Sequence, residues 1–241
     1  MTGADRRRRA RPLVAARALR QLVANPEDTV RVFEVINAMA GPALARGLER
    51  FRRTELGRRV LAERLDLLDL LRDREKLRTL PEGALGRAYH DFVYGESLTA
   101  EGLVAASTNE TVRTYGFDHP DLARFGARLR DQHDLLHTLT RYGRDPFGEV
   151  CLLAFSYAQL RNRGIGMIVL VGAWRIGRRL GFGVVRALWQ AYRAGQRAIW
   201  LPGQDWEALL RMPLADVRRH LGIREPSVYL EVRPAELPAM A

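Results

Sequence analysis

The chain has 241 residues, of which 47% are hydrophobic and 28% charged, and it carries a net charge of +11 with a pI of about 10.8. That composition suits one folded domain and excludes a chain disordered throughout. A single cysteine, Cys151, excludes a disulfide scaffold and a thiolate zinc cluster, and no stretch approaches the roughly 20 apolar residues of a spanning helix.

Residues 1–11 carry Arg6, Arg7, Arg8, Arg9 and Arg11 with no apolar period, and read as a disordered basic arm rather than a secretory signal. Residues 1–24 hold seven arginines against Asp5, a net of +6, so the rest of the chain contributes +5. Lys76 is the sole lysine. Pro12 opens a helix to Ala24 with Ala15, Ala18, Leu19, Leu22 and Val23 on one face and Arg17, Arg20 and Gln21 on the other. Such a helix either lies on an anionic membrane or docks on the domain with its arginines in water.

Thr29–Met39 forms the next helix, ended by Gly41-Pro42. A charged helical stretch runs from Ala43 to about Arg74, interrupted near Thr54–Gly57, with Leu65, Leu67, Leu68, Leu70 and Leu71 suited to packing on another helix. Leu80–Gly83 is a loop, Leu85–Tyr94 a helix, and residues 95–120 a polar loop. One helix is expected from Asp121 to Thr140 and another from Pro146 to Leu160. Further helices cover Met167–Trp174, Gly181–Gly195 and, in one or two short pieces, Trp206–Leu221. Ser227–Val232 alone reads as a strand. The expected fold is all-α: a single compact multi-helix domain over residues 12–241, a metal site between two adjacent helices, and the short basic N-terminal arm.

The chemistry-bearing residues concentrate in His133-Asp134-Leu135-Leu136-His137. On a helical wheel Leu122, Phe125, Leu129, Leu136 and Thr140 share a face, with His133 in its middle, His137 beside it and Asp134 on the flank. Two imidazoles one turn apart are either core histidines satisfied by neighbouring polar groups or ligands converging on a metal. Glu149 favours the metal. Asp145 is a good N-cap and Pro146 a good first residue, which puts Glu149 in the first turn of a helix apolar on every side, where a carboxylate needs a partner. The short connection Arg141–Asp145 folds that helix back toward the histidines. Two nitrogens and two or more carboxylate oxygens suit zinc, manganese or ferrous iron. His90-Asp91 has no ligand partner nearby and reads as surface or structural.

This pattern resembles the coenzyme Q biosynthesis protein 4 family, whose hallmark is His-Asp-x-x-His followed by eleven residues and Glu; here the residues are His133, Asp134, His137 and Glu149. Gly148-Glu149, the stretch Leu80-Pro81-Glu82-Gly83-Ala84-Leu85-Gly86-Arg87, Trp206-Glu207 and Arg218–Ile223 are similar to the family in the same order. The chain departs from it after His137, where Arg141-Tyr142-Gly143 precedes a proline delayed to Pro146.

The resemblance implies an all-α fold and a divalent metal, usually zinc, held by His133, Asp134, His137 and Glu149. It implies decarboxylation of a polyprenylated 4-hydroxybenzoate at the carboxylate-bearing ring carbon, oxidative in some descriptions, within a membrane-associated complex of ubiquinone enzymes. The location that goes with this is cytoplasmic, peripheral on the inner face of a bacterial inner membrane, or on the matrix side in a eukaryote. Asp134 or Glu149 would move the proton; Arg141, which is no part of the family pattern but lies next to the site in sequence, is a candidate partner for the substrate carboxylate. Val150–Leu160 and Ile165–Trp174 either line a channel for the isoprenoid tail or are core. The arm would hold the protein against the anionic membrane; homo-oligomers are compatible with the sequence. Three other readings compete: a non-catalytic isoprenoid-binding scaffold with a structural metal, a His-Asp phosphohydrolase, and a nucleic-acid binder. The second lacks a suitable downstream Asp before Asp205, and the third has no recognition motif.

Overall fold

The computed structural model describes residues 10–25, 28–94 and 119–233. Every regular element among them is a helix, which agrees with the all-α class expected though not with the strand read at Ser227–Val232, and the only β contact among them is an isolated bridge between Ala84 and Pro213. In chain order they are α1 (Pro12–Ala24), α2 (Thr29–Met39), α3 (Ala43–Arg52), α4 (Glu55–Ala62), α5 (Leu67–Arg72), α6 (Arg74–Arg78) and α7 (Leu85–Tyr94). After the undescribed segment come α8 (Pro120–Asp131), α9 (His133–Thr140), α10 (Pro146–Leu160), α11 (Arg163–Leu180) and α12 (Gly183–Arg197). A 3-10 turn (Leu201–Gly203), α13 (Trp206–Leu209), α14 (Leu214–Leu221) and α15 (Ser227–Val232) complete the order. The helices group into two units, one from residues 1–47, 140–198 and 225–241, the other from 48–139 and 199–224.

In the first unit α10 is the centre. Phe147, Val150, Cys151, Leu152, Ala154 and Phe155 are buried around its circumference, so it requires cover on all sides. Helices α11 and α12 supply that cover. Small residues set the approach: a Cβ at Gly172 would meet Val150, and one at Gly195 would meet the Phe155 carbonyl. Helix α1 packs on α2, and Ala18, Leu22, Val35 and Ile168 form a common core. Ala15, Ala18 and Leu22 of the apolar side of α1 are therefore docked inside the protein, while Val23 of that side is exposed. The Arg11 N–H also donates to the Ala38 carbonyl at 2.8 Å.

In the second unit Phe51 lies 5.3 Å from Phe125, which lies 6.4 Å from Trp200. Arg128 is buried beside them and donates to the carbonyls of Pro202 (3.2 Å) and Gln204 (2.7 Å). Burial lowers its pKa to about 10, which leaves it cationic at neutral pH. The start of α7 is tied to the segment before α14 by Leu85 N–H to Met212 O (2.9 Å) and Gly86 N–H to Leu210 O (2.8 Å).

Four elements differ from the sequence reading. Ser227–Val232 is a helix, not a strand. Valines and a tyrosine suit a strand, but a lone strand leaves its backbone unpaired, whereas a helix satisfies it internally. Gln190 fixes the first turn, donating to Ser227 Oγ (2.9 Å) and accepting from Val228 N–H (3.0 Å). The helix expected over Asp121–Thr140 breaks at Gln132, which caps α8 and whose carbonyl accepts from Leu136 N–H at 3.0 Å. The Ala43–Arg74 stretch breaks three times, the last at Asp73 between α5 and α6. Thr54 caps α4 where an interruption was expected; the second break spans residues 63–66, with Arg64 at φ 57° and Asp66 capping α5. The Met167–Trp174 helix extends to Arg163–Leu180. The expectations for residues 1–9 and 95–118 lie outside the described residues.

Candidate metal centre

Helix α9 is eight residues long and begins on His133, which puts His137 one turn on. The two Nε2 atoms approach to 3.2 Å, and the rings meet edge to face with centroids 4.8 Å apart. His137 is fully buried, with the Phe92 ring 5.8 Å away. Arg218 holds the C-terminal end of α9, its Nε donating to Leu139 O and its Nη2 to Thr138 O, each at 2.9 Å. A guanidinium on the last carbonyls is favoured by the helix dipole.

Helix α10 starts as its sequence dictates. Asp145 Oδ1 accepts from the N–H groups of Phe147 and Gly148, both at 3.0 Å, and Pro146 takes the first helical position. Glu149 follows in that first turn. The other Asp145 oxygen accepts from the Tyr229 hydroxyl at 2.8 Å, and that hydroxyl accepts from Gly143 N–H at 2.9 Å. Tyr229 is fully buried, and burial, with Asp145 adding to it, pushes its hydroxyl far above the ordinary tyrosine value. A Cβ at Gly148 would run into the Gly143 backbone, so glycine is required there.

One ligand atom from each of His133, His137 and Glu149 lies within 4.8 Å of the others. The donor set fits a divalent cation. Ligands about 2.0–2.1 Å from a tetrahedral centre are about 3.3 Å from one another, close to the 3.2 Å between the imidazole nitrogens. Three of the four expected ligands are thus brought together. Asp134 falls outside the group. Its carbonyl accepts from Thr138 Oγ1 at 3.2 Å, and its charge is felt at Tyr94, where burial raises the hydroxyl, Arg74 and Arg72 oppose the rise, and Asp134 adds to it.

Arg141 lies in the connection to α10 at φ 63°, its Nη1 donating to Glu225 Oε1 at 2.7 Å. His90 Nδ1 pairs with Asp91 at 2.9 Å, in keeping with a structural or surface role. Two supporting roles escaped the sequence reading, that of Tyr229 and that of Arg218, which the sequence marks only as part of the family-like stretch Arg218–Ile223. Each acts across about 80 positions of chain, and no local spacing marks them.

The sequence model of one family, described as "Coenzyme Q (ubiquinone) biosynthesis protein Coq4", matches residues 8–227. A mitochondrial ubiquinone biosynthesis protein coq4 of Sclerotinia sclerotiorum is 33% identical over 182 residues, 75% of this chain and 61% of that protein. The Yarrowia lipolytica protein of that name is 32% identical over 172 residues, 70% of this chain and 62% of its own. The Danio rerio homologue is 32% identical over 187 residues, 76% and 65% of the two chains. The chain thus spans less than two thirds of the length of these relatives. A crystal structure of a Nostoc punctiforme protein provisionally assigned to ubiquinone biosynthesis superposes with a TM-score of 0.64 at 21% identity, over 89% of this chain and 99% of that one. It shares the fold.

Proposed function

The chain belongs to the coenzyme Q (ubiquinone) biosynthesis protein Coq4 family, and on that premise we propose that it is a metal-dependent decarboxylase of a polyprenylated 4-hydroxybenzoate, working beside other ubiquinone-biosynthesis enzymes as a peripheral membrane protein. The observation that carries the reading is the convergence of His133, His137 and Glu149. A divalent cation held by these residues, with Asp134 as the remaining candidate ligand, supplies Lewis acidity toward the substrate carboxylate or a neighbouring ring oxygen. Zinc suits the histidines best; iron and manganese fit the same donors.

The protein's own groups do the rest. His137, buried and packed on Phe92, fixes one side of the site. Asp134 or Glu149, whichever is not a tight ligand, delivers a proton to the carboxylate-bearing carbon. The para-hydroxyl supplies the electrons for that protonation, and carbon dioxide leaves with the bond pair returned to the ring. Arg141 pairs with the substrate carboxylate by exchanging it for Glu225, a partner of the same charge and geometry.

Metal content and turnover of the prenylated substrate, measured on wild type and His133→Ala, test the reading. Metal and turnover lost together support it. A folded His133→Ala that retains lipid and fully replaces the wild type in ubiquinone-deficient cells favours instead a scaffold with a structural metal.

A further inference from the structure

Between Glu149 and Asp205 the sequence has no acidic residue, while it carries Arg161, Arg163, Arg175, Arg178, Arg179, Arg186, Arg193 and Arg197. This stretch of 55 residues therefore contributes +8, more than the N-terminal 24, and the remainder, residues 25–149 and 205–241, is net −3. The same stretch bears the most exposed large apolar side chains of the first unit after Leu13. Leu170 is 72% exposed, Trp174 59%, Phe182 75%, Val185 49% and Trp189 62%.

The exposed residues follow helical spacing. Leu170 and Trp174 stand four apart on α11, with Arg178 one turn further and its guanidinium 5.4 Å from the Trp174 ring. Phe182 sits in the connection, and Val185 and Trp189 continue at intervals of three and four on α12, with Arg193 one turn beyond. The opposite side of α12 is core: Val184, Ala187, Leu188 and Ala191 are buried. Two tryptophans and a phenylalanine in water are costly unless something covers them. Aromatic side chains interleaved with arginine, without a single carboxylate, match the boundary of an anionic bilayer, where rings sit at headgroup depth and guanidiniums meet phosphates. No described helix is long and apolar enough to cross a membrane, so contact is from one side.

We propose that the exposed face of α11 and α12, centred on Trp174, Phe182 and Trp189, docks the protein on an anionic lipid surface. This deepens the peripheral-membrane part of the preceding reading and places the contact on a pair of helices other than α1, whose Ala15, Ala18 and Leu22 are buried.

The test uses the full chain and sedimentation with vesicles of phosphatidylcholine alone or with one third phosphatidylglycerol. Wild type should sediment with the anionic vesicles and be released by salt. Phe182→Ser with Trp189→Ser should weaken that binding by about tenfold or more, with unchanged metal content and melting temperature. Deletion of residues 1–9 should leave most of it. Tryptophan emission gives a second readout: Trp174 and Trp189 are exposed whereas Trp200 and Trp206 are buried, so vesicles should shift the emission to the blue, and Trp174→Phe with Trp189→Phe should abolish the shift. Equal binding by the Ser variant, equal binding to neutral vesicles, or a wild-type dimer that the Ser variant dissolves would overturn the proposal. Vesicle binding by a protein that holds no metal removes the decarboxylase reading and leaves this one intact.

Discussion

Glu149 is the residue on which the centre turns, because among the described residues it is the carboxylate grouped with the paired imidazoles. Glu149→Gln keeps its volume and removes its charge, so bound metal should fall at least tenfold while the fold persists, as metal analysis against circular dichroism would show. His137→Ala should do more, since it removes a ligand and opens a cavity in a fully buried site, at a cost of about 2–4 kcal/mol in a denaturant titration. Cys151 gives a pH prediction. Burial raises its thiol well above the ordinary value, with Asp145 adding to the effect. The folded state thus keeps a proton that the unfolded chain releases above about pH 8.5. The contribution is complete below that pH and is lost as pH rises beyond it. Between pH 8 and 10 the wild type should lose more stability than Cys151→Ala, and the native thiol should resist alkylation. The ligand trio was legible because spacing alone sets it: i, i+4 on one helix, then the first turn of the next. Asp134 shows the limit, since a residue adjacent to His133 in the chain is turned about 100° from it on a helix.

At the scale of elements, the break at Gln132 and the helix Ser227–Val232 were the illegible parts, and both depend on distant partners. Tyr229 reads as a strand residue until Asp145 and Gly143, more than 80 positions away, are known to bind its hydroxyl. The helices that were legible, α1, α2, α7 and α10, carry their own stops: Pro12, Gly41-Pro42, the loop before Leu85, and Asp145-Pro146. Tyr229→Phe leaves the second Asp145 oxygen and the Gly143 N–H without the hydroxyl, and should cost about 1–3 kcal/mol of stability. Because Asp145 also caps the helix that presents Glu149, the same variant should weaken metal affinity, measurable by competition with a chelating dye. A stability loss with unchanged metal affinity would make Tyr229 a purely structural residue.

For the whole molecule, the net charge of +11 is a sum of unlike parts. The arginines of the basic N-terminus are consecutive; the larger excess lies between Glu149 and Asp205, spread at helical intervals, and stands out only when acids are counted as well as bases. Its consequence depends on exposure, which only the folded helices give. The isolated protein should therefore bind a strong cation exchanger even after residues 1–9 are removed, eluting slightly earlier than the full chain; loss of retention would place the effective charge in the N-terminal segment instead.

Lys76 lies exposed on the short helix α6, its N–H capped by Asp73. A protein so rich in arginine offers amine-reactive reagents only one side-chain address, and that address is absent from the aromatic face of α11 and α12. A tether or dye attached there would present every molecule to a sensor surface by the same residue, with the arginines and tryptophans chemically untouched.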